Sequence, residues 1–159
     1  MKKTLITFAI LLLGTASWAQ THSAEEKAII KVLEKESEAA QKRDYDRWIA
    51  CFAQSEDVAF GFTHLFPTYM VRSYDKLAEL GIQVFQDNPV SSTESFEFTD
   101  FNIRVNGTSA FVTYLQTNTQ QDGTKDRYHK AEYLEKIDGE WKMIGHFFAK
   151  EPQSATGAG

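Results

Sequence analysis

Asp138-Gly139 stands between two alternating runs that reach back to His129 and forward to Phe148, and this arrangement constrains the fold more than any other feature of the chain. A two-residue Asp-Gly connection specifies a type I′ hairpin, because both central residues must take positive φ. The turn fixes the register: Glu135 faces Lys142, Tyr133 faces Ile144, Ala131 faces His146 and His129 faces Phe148 on one side of the sheet. The other side carries Lys136 with Trp141, Leu134 with Met143 and Lys130 with Phe147. Both faces are partly apolar, which predicts a curved sheet with a cavity inside and a partner surface outside, formed by Leu134, Trp141, Met143 and Phe147.

Upstream, Ser23 and Glu26 form a capping-box pair ahead of a helix that runs to about Arg43, with Ile29, Ile30, Leu33, Ser37 and Ala40 inward. Asp44 caps a second, short helix with Tyr45, Trp48, Ile49 and Phe52 on its buried stripe. A strand over 58–63 follows, then a loop over 64–72, then a helix opened by Ser73 or Asp75 and stopped by Asn88-Pro89. The remainder reads as strands. Phe96 and Phe98 share one parity and Phe101, Ile103 and Val105 the other, so a bulge is expected near Thr99-Asp100, bending the sheet. Helices followed by a bent antiparallel sheet make an α+β domain.

The chain begins with Lys2 and Lys3, continues through an apolar run from Leu5 to Leu13, and reaches Ser17 and Ala19, the pattern of a secretory signal peptide cut after Ala19. The expected organisation is a signal peptide over 1–19, a single domain over 20–150 and a flexible polar tail over 151–159. The protein is then exported, periplasmic or extracellular. The formal net charge of −5, more negative once Lys2 and Lys3 are removed, argues against nucleic-acid or anionic-membrane partners. A single cysteine, Cys51, excludes an intrachain disulfide and reads as a buried, inert thiol.

The element order, Asp44 opening the second helix, Phe52-Ala53 before Asp57-Val58, and the ending Leu134-Glu135-Lys136, Asp138-Gly139, Trp141-Lys142 resemble the nuclear transport factor 2-like superfamily, and within it SnoaL-like secreted bacterial members. The resemblance covers about Ser23 to Phe148 and implies a cone-shaped fold with the ligand inside its open end. It also implies homodimers. Placed on this chain, the general base of the superfamily's ketosteroid isomerases falls at about Gly61, their tyrosine donor near Glu36 or Ser37, and their protonated carboxylic acid near Tyr133. The base and one oxyanion donor are therefore missing at the expected places.

On the same placement, Tyr133, His146 and Phe148 face the cone, with His129 as the diagonal neighbour of His146. Trp48 and His64, in the loop at the mouth, complete the candidate ligand-binding set. Two imidazoles and a phenol on an apolar wall suit a polar group of a small molecule or a proton transfer. The histidines lack metal-site spacing, so no metal and no cofactor is expected. Three functions are open: an exported small-molecule-binding protein, which the missing base favours; an acid/base isomerase, dehydratase or cyclase using His129, Tyr133 and His146; and a dimeric interaction module built on the outer sheet face.

Overall fold

The computed structural model describes residues 22–63 and 69–152; the signal peptide expected over 1–19, His64 and residues 153–159 of the expected tail lie outside them. Helix α1 spans Ala24–Lys42, α2 Tyr45–Ile49 and α3 Tyr74–Asp87, with strands β1 Ala59–Thr63, β2 Tyr69–Arg72, β3 Thr93–Asn106, β4 Ser109–Gln120, β5 Lys125–Ile137 and β6 Glu140–Lys150. One six-stranded sheet runs β2-β1-β6-β5-β4-β3. Two differences from the sequence reading stand out. Tyr69–Arg72, expected as loop, is the edge strand β2, and β1 pairs with β6 in parallel, so the sheet is mixed rather than antiparallel throughout. Both follow from long-range pairing, which local patterning does not carry.

The helices form where their caps dictate. At α1 the Ser23 hydroxyl accepts from the Glu26 amide while the Glu26 carboxylate accepts from the Ser23 amide. Asp44 caps α2 through the Arg47 amide, and Ser73 caps α3 through the Lys76 amide. The inward stripe of α1 contains Ile29 and Leu33 and then turns polar at Glu36 and Ser37, all buried. Its apolar part belongs to one core cluster with Leu134, Trp141 and Met143 of the sheet. The expected bulge in β3 is present between Thr99 and Asn102, with Asp100 at φ 58°.

A second bulge corrects the last hairpin. The expected register holds from the turn to Leu134 opposite Met143, and then β6 gains one residue, so Tyr133 lies opposite Gly145, Glu132 opposite His146 and Lys130 opposite Phe148. The alternation of β6 is therefore reset while that of β5 is not. Trp141 and Met143 face inward before the bulge, and His146 and Phe148 face inward after it. The expected outer face is corrected accordingly: Leu134, Trp141 and Met143 are buried in the core, and only Phe147 of that group is exposed. The convex face instead carries Phe111, Tyr133 and Phe147 on neighbouring strands, with Ala131 and Gly145 beside them.

Candidate functional site

The sheet and helices enclose a cavity with two compartments. The inner one, 270 Å³, is lined by Glu36, Ser37, Gln116, Lys130 and His146 as well as by aromatic rings. An outer one of 600 Å³ is bounded by Leu80, Gly81 and Val84 of α3. Trp48, Phe60, Phe85 and Phe148 belong to both, so the compartments share an aromatic waist.

The waist is placed by close packing. Phe60 lies flat on the His146 imidazole, ring centres 4.8 Å apart, and Trp48 packs on Phe52 and Phe85 at 5.1 and 5.4 Å. Gly81 makes room for Trp48, since a Cβ on it would come within 2.5 Å of the indole. The indole Nε1–H donates to Glu36 Oε1 at 2.8 Å, and the Ser37 hydroxyl donates to the other oxygen at 3.1 Å. Glu36 thus sits buried with both oxygens engaged.

Behind the cavity wall lies a buried polar chain. The Tyr114 hydroxyl donates to Glu132 Oε1 at 3.2 Å, and Glu132 Oε2 meets His146 Nδ1 at 2.8 Å. Without a proton between them, those last two atoms would both be acceptors, buried and unpaired. Burial sets where that proton resides: desolvation pushes the Glu132 carboxyl up to about 8 and the His146 imidazolium down to about 3. At neutral pH the carboxyl is therefore protonated and donates to Nδ1, leaving Nε2–H of a neutral imidazole as the donor toward the cavity. Lys130, two residues before Glu132 and on the same face of β5, extends along the inner wall with its ammonium 5.0 Å over the Phe148 ring.

Of the residues singled out from sequence, Trp48, His146 and Phe148 line the cavity. His129 and Tyr133 do not, and the expected inner wall is corrected on this point. His129 stands on the convex side, largely exposed, with Nε2 2.9 Å from Glu151, and Tyr133 is 38% exposed with its hydroxyl on Glu135. Both are on β5, where parity runs unbroken from buried Leu134, so odd-numbered residues face outward. His146 reaches the inside only through the bulge. The sequence reading missed Glu36, Lys130 and Glu132. Two signals marked the strand pair, though not Glu36: Lys130 and Glu132 share parity with Leu134, and Gly145 inside a strand run is a bulge signal. Cys51 is buried as expected, its thiol pushed up to about 11 by desolvation. Among the described residues, no group of three or more His, Cys, Asp or Glu side chains is arranged to hold a metal ion.

Comparison with known proteins agrees with this architecture. The profile of the SnoaL-like domain matches residues 29–148. A protein of unknown function with a cystatin-like fold from Nostoc punctiforme is similar in structure, with a TM-score of 0.67 at 18% identity over 84% of this chain and 96% of that one. A provisionally named dehydratase of the nuclear transport factor 2-like family from Streptomyces avermitilis has a TM-score of 0.62 at 14% identity, covering 80% of this chain and 96% of its own. A provisionally named ketosteroid isomerase from Parabacteroides distasonis has a TM-score of 0.61 at 15% identity, covering 79% and 86%. At these identities the likeness concerns the fold. No curated protein matches the sequence significantly.

Proposed function

This chain belongs to the SnoaL-like domain family, and from that premise and the geometry of its cavity we propose that it is an exported protein that binds a small molecule of mixed polarity inside the cone. The observation that carries the reading is the two-part cavity, whose aromatic outer compartment leads to a small set of buried polar groups at its inner end. Apolar walls with a few fixed polar groups are how small-molecule sites combine affinity with orientation. The neutral fluorophore N-phenyl-1-naphthylamine tests it. The protein is expected to bind one equivalent with enhanced emission. Val84→Trp, at a 38% exposed position lining both compartments, is expected to abolish binding with little change in melting temperature. No binding at millimolar probe, or undiminished binding by the variant, rejects the reading.

A second reading, acid/base catalysis, is favoured by one arrangement, the Tyr114, Glu132 and His146 chain. When a proton leaves Nε2 and the carboxyl proton moves to Nδ1, the pair has exchanged a proton with the cavity without forming an imidazolium. His129 and Tyr133, expected to share this chemistry, have no part in it. The dehydratase and isomerase names of two structurally similar proteins fit such chemistry. Turnover of any enolisable or dehydratable substrate is expected to vanish in His146→Ala; residual turnover at the wild-type rate excludes this reading.

A further inference from the structure

We infer that the molecule held in this cavity is an anion, whose carboxylate or comparable oxyanion docks between Lys130 and His146 while its apolar body lies against Trp48, Phe60, Phe85 and Phe148. The inference rests on the cavity reading above and adds the charge class of the ligand.

Lys130 carries the argument. It is 8% exposed, lines the inner compartment, and is the only buried lysine or arginine among the described residues. Three other lysines of the last two strands have carboxylates: Lys136 meets Glu25 at 2.9 Å, Lys142 meets Glu140 at 3.0 Å and Lys150 meets Asp126 at 2.7 Å. Lys130 has none within ion-pair distance; its ammonium lies over the face of Phe148. The side chain is buried but its ammonium borders the cavity, and a cation held at an apolar wall without a counter-charge gains most from a ligand that supplies one.

The neighbouring groups do not supply it. Glu36, the carboxylate lining the inner compartment, is occupied by Trp48 and Ser37 and is too far from Lys130 for an ion pair. Glu132 is spent as a neutral donor to His146. A second cation, Arg43, lines the same compartment; its Nε is buried without a partner and its guanidinium lies 5.6 Å over Phe85. The inner end therefore presents Lys130 Nζ and His146 Nε2–H, two donors awaiting an acceptor. An oxyanion accepts from both and neutralises Lys130, forming charge-assisted hydrogen bonds. A neutral ligand leaves the ammonium uncompensated, and a cation is repelled.

Calorimetric titration at pH 7 with 2-naphthoate and 2-naphthamide, matched in shape and different in charge, tests the inference. Wild type is expected to bind the naphthoate about tenfold tighter or more, the size of one charge-assisted hydrogen bond. Lys130→Met should bring the two compounds within about twofold, whereas Lys130→Arg, which keeps the charge, should retain the preference. If Lys130→Met does not fold, wild type and Lys130→Arg carry the comparison. Equal or tighter binding of the naphthamide by wild type overturns the inference and leaves the cavity reading intact, as does a preference that persists in Lys130→Met. Failure of both compounds to bind wild type at millimolar concentration removes the cavity reading itself.

Discussion

Glu132 and His146 face each other across β5 and β6 with carboxyl oxygen and Nδ1 2.8 Å apart, and both side chains are buried. The pair is stable only as one shared proton between two neutral groups, because burial disfavours the charged form of each. Tyr114 fixes the orientation by occupying the other carboxyl oxygen.

The pair predicts a two-sided dependence of stability on pH. The folded-state value for Glu132 is raised from 4.5 to about 8, so between these the unfolded chain has lost a proton the folded one keeps, and stability falls as pH rises. For His146 it is lowered from 6.5 to about 3, so stability falls as pH drops through that interval. The slopes oppose each other between 4.5 and 6.5, where stability is greatest. Glu132→Gln keeps a donor to Nδ1 and cannot ionise. Its unfolding free energy relative to wild type should improve by on the order of 4 kcal/mol between pH 5 and pH 9 in urea titrations; an unchanging difference contradicts the neutral pair.

Gly81→Ala is expected to destabilise, against the usual gain of about 1 kcal/mol for this change within a helix. The added methyl would lie 2.5 Å from the Trp48 ring, which Phe52 and Phe85 hold from other sides. Overpacking of this kind costs about 1–3 kcal/mol. A raised melting temperature would show that the indole does not lie against α3.

The homodimer expected through the outer sheet face is proposed on a set that keeps only Phe147 of the residues first read. Phe111, Tyr133 and Phe147 project from the convex face beside Ala131 and Gly145, so knobs and hollows suit a second copy of the same surface. Phe111→Asp, at a 48% exposed position, should lower the sedimentation coefficient to that of a monomer and leave helical content unchanged. A wild type that sediments as a monomer at about 100 µM, where micromolar pairing is populated, rules out the dimer.

Export predicts a processed amino terminus. Intact mass of protein recovered from the periplasm or medium should correspond to a chain beginning at Gln20, since Ser17 and Ala19 occupy the small-residue positions of a cleavage site. Recovery of the chain with Lys2 and Lys3 still attached refutes the assignment.

Local chemistry determined a good part of this protein from its sequence. The Ser23 and Glu26 capping box, the Asp44 cap, the parity change after Phe98 and the Asp138-Gly139 turn each act within a few residues, and each is present in the fold. These signals specify helices, bulge and hairpin in order, which is enough to indicate an α+β domain; the cone was implied by the family resemblance. The direction of the last strand's side chains was decided elsewhere. Beyond Met143, the edge of β6 is taken by the parallel strand β1, and Met143 itself exchanges backbone hydrogen bonds with Cys51 and Ala53. β6 also gains a residue there relative to β5, so one insertion moved His146 from the partner of Ala131 to the partner of Glu132. Because side chains alternate with a period of two, that single residue put His146 on the face that carries Lys130 and Glu132 and away from the one that carries His129 and Tyr133. The charges and protons of the site depend on burial by α1, β4 and β6 together, and only the assembled tertiary structure supplies that.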